Sequence, residues 1–151
     1  EFSALEALLM TACAELHARV STLQVAVRDA LASLRHTIGT GVVAGSKQLE
    51  AMRDLKQQVH ELLISSQQLD RAITEVLEED EDMARMYLTK QHHEEVHASD
   101  EAPTPSRRGG GPRDWAAEPH EEVELLLENY AQELGAAIAL LELLSYSIES
   151  D

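Results

Sequence analysis

Five carboxylates stand in a row at Glu78-Glu79-Asp80-Glu81-Asp82, with Glu75 one helical turn earlier. Oxygen donors of this kind suit hard divalent cations such as Mg²⁺ and Ca²⁺. The run lacks the glycine and the ligand spacing of an EF-hand loop. It offers a loose acidic surface, which suits Mg²⁺ because that ion keeps most of its own water. A solvated charged face is the competing reading of the run by itself. A second pattern, His93-Glu94-Glu95-Val96-His97, matches the H-E-x-x-H signature, in which two imidazoles one turn apart hold Zn²⁺ and the glutamate acts as general base. Helical periodicity fades at this point of the chain, and His120 is the one further ligand within view. We read the match as chance and expect no enzyme. Cys13 falls beside an apolar stripe and reads as a buried, inert thiol. His17, His36 and His60 read as ordinary, partly exposed histidines, and Met52, Met83 and Met86 as core filler. There is no Gly-rich phosphate loop, serine elbow or basic patch with interleaved aromatics.

The elements that must carry these residues are helices. Apolar residues at Phe2, Leu5, Leu9, Ala12, Leu16, Val20, Leu23, Val27, Leu31, Leu34 and Ile38 recur about every 3.6 positions, the period of one α-helical face. Gly39-Thr40-Gly41 then breaks the pattern, and Gly45-Ser46 is a candidate cap for the next helix. Leu49, Met52, Leu55, Val59, Leu62, Leu69, Ile73, Val76, Met83 and Tyr87 predict a second helix from Ser46 to about Lys90, uninterrupted by Pro or Gly. A connection this short makes the two an antiparallel hairpin. From about Ser99 to Glu118, prolines and glycines sit among charged and small residues around Trp115, a composition unfit for packing. Periodicity resumes at Val123, Leu127, Tyr130, Leu134, Ile138, Leu141, Leu144 and Ile148. Leu125, Leu126, Leu140 and Leu143 lie off that stripe, so more than one face of the third helix should be covered.

The expected fold class is therefore all-α: an elongated antiparallel hairpin over 1–92, a flexible Pro/Gly-rich linker over 93–119, and a third long helix over 120–151. Composition agrees. Aromatic residues make up 3% of the 151 positions, poor material for sheet. Twenty-eight acidic against 12 basic residues give a net charge of −16. Nucleic acid and anionic membrane surfaces carry the same sign and are excluded as partners. The single cysteine rules out an internal disulfide framework. No stretch reaches the roughly 20 apolar residues that span a bilayer. The chain opens inside a helical repeat and ends without a stop signal, so we expect a piece of a longer protein.

Three blocks, taken in order, resemble the eukaryotic branch of the CorA-type magnesium channels of mitochondria and plant membranes. Glu1-Phe2-Ser3-Ala4-Leu5-Glu6-Ala7 is similar to the segment that begins that family's long helices. Leu77-Glu78-Glu79-Asp80-Glu81-Asp82-Met83-Ala84-Arg85-Met86-Tyr87-Leu88-Thr89 resembles its L-D-D-D-E-D-M-A-x-M-Y-L-T block. Glu124-Leu125-Leu126-Leu127-Glu128-Asn129-Tyr130 resembles the start of the helix that leads to the pore. The resemblance implies a homopentameric parent in an organellar membrane, the mitochondrial inner membrane or that of plastid or vacuole. Such a parent conducts Mg²⁺ and closes when Mg²⁺ binds acidic sites on its soluble part. A β-containing part, two membrane-spanning helices and a Gly-Met-Asn motif would lie outside this chain, whose share would be sensing, gating and assembly, its third helix beginning the stalk. The implied metal residues are Glu78, Glu79, Asp80, Glu81 and Asp82, with Glu61 where organellar members carry a regulatory carboxylate. One turn on from Glu61 stands Ser65 rather than an acid. Glu142, Glu149 and Asp151 could face a neighbouring protomer, although solvent-facing charge is the preferred reading. The alternative from a different class is a structural coiled-coil interaction protein whose acidic surface is indifferent to Mg²⁺.

Overall fold

The computed structural model describes residues 2–39, 45–88 and 120–150. Its elements are all helical: α1 (Ser3–Gly39), α2 (Ser46–Glu78), α3 (Asp80–Arg85) and α4 (Glu121–Ser150). Residues 40–44 of the expected turn, the expected linker, the H-E-x-x-H match, Trp115 and Lys90 lie outside the described residues.

Contacts at the helix ends fix the topology. Gln48, in the first turn of α2, reaches back to Ser33 and Thr37 near the end of α1, its Nε2 donating to their hydroxyls at 3.3 and 3.2 Å. The same side chain accepts from the Gly45 amide at 3.3 Å, the return half of a capping box. Thus α1 and α2 run antiparallel. Lys56, early in α2, meets Glu149, late in α4, at 3.0 Å. Tyr130, early in α4, donates its hydroxyl to the Glu6 carbonyl at 3.4 Å. So α4 runs antiparallel to α2 and parallel to α1, and lies along both to complete a three-helix bundle.

The core follows a seven-residue register. On α4 the buried positions are Val123, Tyr130, Ala137 and Leu144, interleaved with Leu127, Leu134 and Leu141. On α1, Leu9, Leu16 and Leu23 interleave with Cys13, Val20 and Val27; on α2, Val59, Ser66 and Ile73 are seven apart. Strict heptads wind helices into a left-handed supercoil with 3.5 residues per turn. The stripe expected at a uniform 3.6 drifts from this register. Cys13 is therefore buried in place of Ala12, which is exposed, and fully buried Ala137 replaces half-buried Ile138. Leu49, Leu69 and Ile38, expected on the buried face, are exposed. Ser66 fills a heptad position that an apolar scan passes over, its hydroxyl donating to the Leu62 carbonyl at 2.8 Å.

The second helix differs from expectation in one respect: it stops at Glu78. Glu79 is extended, with φ −120° and ψ 105°, and α3 begins after it. Charge favours a break here. Five successive acids on a continuous helix would repel at one-turn spacing and oppose the negative C-terminal end of the helix dipole. The break moves Asp80, Glu81 and Asp82 into the first turn of a new helix, where the dipole favours them.

Candidate functional site

The acidic run lies on the corner between α2 and α3. Glu78 closes α2, Glu79 is the extended link, and the remaining three acids open α3; all are exposed except half-buried Asp82. Arg85, one turn on, pairs with Asp82 at 2.8 Å and with Glu81 at 3.5 Å. It offsets part of the charge while leaving Glu78, Glu79 and Asp80 facing water. Among the described residues no three His, Cys, Asp or Glu side chains converge as a set that could hold a metal. The corner's donors thus match a cation held through its own water shell, and do not match a cage of direct ligands.

Glu61 occupies a different place. Seventeen residues earlier on α2, it stands about 25 Å from Glu78. It lines a groove of about 510 Å³ between α1 and α2, together with Glu15, Arg19, Thr22, Gln58 and Ser65. Gln57 donates to the Glu61 carboxylate at 2.8 Å, and across the groove Arg19 pairs with Glu15 at 3.5 Å. The expected residues therefore lie in two separate places on the bundle. Ser65 lines the same groove, where its hydroxyl supplies a neutral oxygen. Glu142 is exposed, Glu149 is paired with Lys56, and Asp151 lies outside the described residues.

The other candidates are divided between core and surface. Cys13 is 3% exposed, and burial, reinforced by Glu133, raises its thiol pKa. A thiol held protonated is a poor nucleophile. His17 is half-buried, and His36 and His60 are exposed. His120, weighed as a zinc ligand, is instead buried just before α4, with its ring 5.4 Å from that of Tyr87. Its Nε2 is buried without a hydrogen-bond partner among the described residues.

Two features escaped a reading by stripe alone. One is the packing of Phe2, Tyr87 and His120 at a single end of the bundle. The other is the outer face of α4. Leu125 and Leu143 are 66% and 65% exposed, and 18 residues of helix place them on the same side. Exposed Gln132, Ala136, Ala139 and Tyr146 share that face, which carries no charge from Asn129 to Ser150. Leucines off the core stripe were the available signal; of the four expected to be covered, Leu126 is half-buried against the core, whereas Leu125, Leu140 and Leu143 are exposed. No helix among the described residues is long and apolar enough to cross a membrane.

Comparison with known proteins adds two findings. A family model described as "Magnesium transporter MRS2-like" matches residues 1–151. The chain is also similar to "Magnesium transporter MRS2-5" of Arabidopsis thaliana, 37% identical over 102 residues, 67% of this chain and 23% of the relative. It therefore spans less than a quarter of the length of the curated relative that it matches.

Proposed function

The chain belongs to the MRS2-like magnesium transporter family, and from that premise we propose that it supplies the Mg²⁺-sensing and gating helices of a magnesium channel. The observation that carries this reading is the acidic corner at Glu79. The fold breaks a long helix there and leaves a concentrated negative charge in water, in the form that holds a hydrated divalent ion. Glu61, in the groove between α1 and α2, is the second place where the regulatory ion would bind.

The mechanism follows from charge. In the parent, a homopentamer anchored in an organellar membrane by segments outside this chain, five copies of a strongly acidic body are held side by side. Mg²⁺ between them screens carboxylate repulsion and favours the closed, symmetric state. When matrix or stromal Mg²⁺ falls, the bodies separate and the pore conducts Mg²⁺ as its substrate. The ion shifts the equilibrium only by its difference in affinity for the two states. The uncharged face of α4 supports the assembly part of the reading, because it is the surface on which like-charged copies approach at least cost.

Calorimetric titration with Mg²⁺ to several millimolar, with light scattering in parallel, tests this. Heat or a change in mass that disappears when Glu78, Glu79 and Glu81 become Gln and Asp80 and Asp82 become Asn supports sensing at the corner. Binding that survives those changes but is lost in Glu61→Gln moves the sensor to the groove. Indifference in every protein leaves a solvated acidic coiled coil, and defeats the reading for this chain.

A further inference from the structure

We propose that the groove between α1 and α2 binds an aliphatic polyammonium ion, its alkyl chain lying on Leu23 and Leu62 and one ammonium meeting the Glu61 carboxylate. The groove has a volume of about 510 Å³, within the range of small-ligand sites. Buried Leu23, half-buried Leu62 and the Ala18 methyl give it an apolar lining. Thr22, Gln58 and Ser65 add neutral oxygens.

Charge selects the sign of the ligand. The charged side chains lining the groove are Glu15, Arg19 and Glu61. Arg19 is turned onto Glu15 of its own helix, at 3.5 Å. Among the described residues the Glu61 carboxylate meets only the neutral amide of Gln57, at 2.8 Å, and keeps its negative charge uncompensated. An anion would face two carboxylates, with one guanidinium, already in use, to hold it. The lining selects the shape. A hydrated Mg²⁺ ion would use the carboxylate alone, because it keeps its water, whereas a methylene chain laid on Leu23 and Leu62 is removed from water. An alkyl segment ending in ammonium matches both, as a lysine stem does when it covers apolar surface and leaves its head in water. The net charge of −16 favours a ligand carrying several positive charges over one carrying a single charge. Binding here does not rest on Mg²⁺ sensing at the corner. An ammonium on Glu61 excludes Mg²⁺ from that carboxylate and leaves the acids around Glu79 untouched.

Calorimetric titration of the whole chain with spermidine, in buffer without divalent ions, tests the site. Affinity should fall about tenfold in Glu61→Gln, which removes a charge-assisted hydrogen bond. Ala18→Phe keeps every charge but places a ring in the groove, and should weaken binding at least as much. Ala18 is exposed, so helix content and thermal midpoint should stay near those of the parent. Changing Glu78, Glu79 and Glu81 to Gln and Asp80 and Asp82 to Asn should alter the affinity by less than about threefold, because those charges lie beyond a Debye length. Spermidine held merely as a counterion would do the reverse, responding to the corner substitutions and ignoring Ala18→Phe, and that result would overturn the proposal. So would an absence of binding, or an affinity unchanged in Glu61→Gln. Failure of Mg²⁺ sensing would show in the Mg²⁺ titration and not in this one.

Discussion

Cys13 shows how a single core position carries a measurable consequence. Its folded-state pKa is raised above the ordinary 9.0 by burial, with Glu133 adding to the effect. A raised pKa means that the native state holds the proton more tightly than the unfolded chain does. The stability this contributes is complete below about pH 9 and is lost as pH climbs toward the folded value. Tyr130 behaves alike from 10.0 upward, through burial first and then Glu6, Glu133 and Cys13. Thermal unfolding followed from pH 7 to 10.5 should show a falling midpoint above pH 9. In Cys13→Ala the midpoint at pH 7 drops because a cavity is left, while the alkaline slope becomes shallower. An unchanged slope would show that other groups govern it. At the centre of the core, Leu134 and Leu141 are 1% and 0% exposed. Truncating either to Ala should cost about 2–5 kcal/mol in denaturant titrations.

At the scale of elements, much of the fold was legible because helical period and length are strong signals in a chain so poor in aromatics. The positions of α1 and α4, and the hairpin of α1 with α2, follow from apolar spacing and a short glycine-bearing connection. What spacing did not give was the register, since 3.6 and 3.5 residues per turn separate only over several turns. Ser66 and Ala137 went unnoticed as core residues because they are not apolar giants; heptad position, rather than hydropathy, buries them. The break at Glu79 was missed for another reason. Glutamate favours helix, and neither Gly nor Pro marks the stop. The signal was charge, visible in the five acids but read there as a ligand set. At low ionic strength, Glu78→Gln combined with Glu79→Gln should let α2 continue toward Arg85 and increase the helical circular dichroism. Each relieved pair is worth a few tenths of a kcal/mol, and added salt should shrink the difference. An equal signal in both proteins would place the cause of the break in packing instead.

For the molecule as a whole, two properties pull against each other. A net charge of −16 drives copies apart, while α4 offers a face without charge from Asn129 to Ser150 on which Leu143 and Tyr146 are exposed. Repulsion between copies extends over roughly a Debye length, about 10 Å at 0.1 M salt, whereas apolar contact acts only at touch. Association through α4 should therefore be weak at low ionic strength and strengthen as salt rises, opposite to assembly through complementary ion pairs. Sedimentation equilibrium between 0.02 and 0.5 M NaCl, concentrations chosen to span about 20 to 4 Å of screening, would show the trend. Leu143→Glu should abolish it while leaving helix content and thermal midpoint near those of the parent, because that side chain is 65% exposed. The same substitution in the groove-facing Thr22 should leave association unaffected, which separates the α4 face from the α1–α2 groove as the contact surface. Association that weakens with salt, or that survives Leu143→Glu, would assign the self-contact to a charged surface and remove α4 from the proposed assembly.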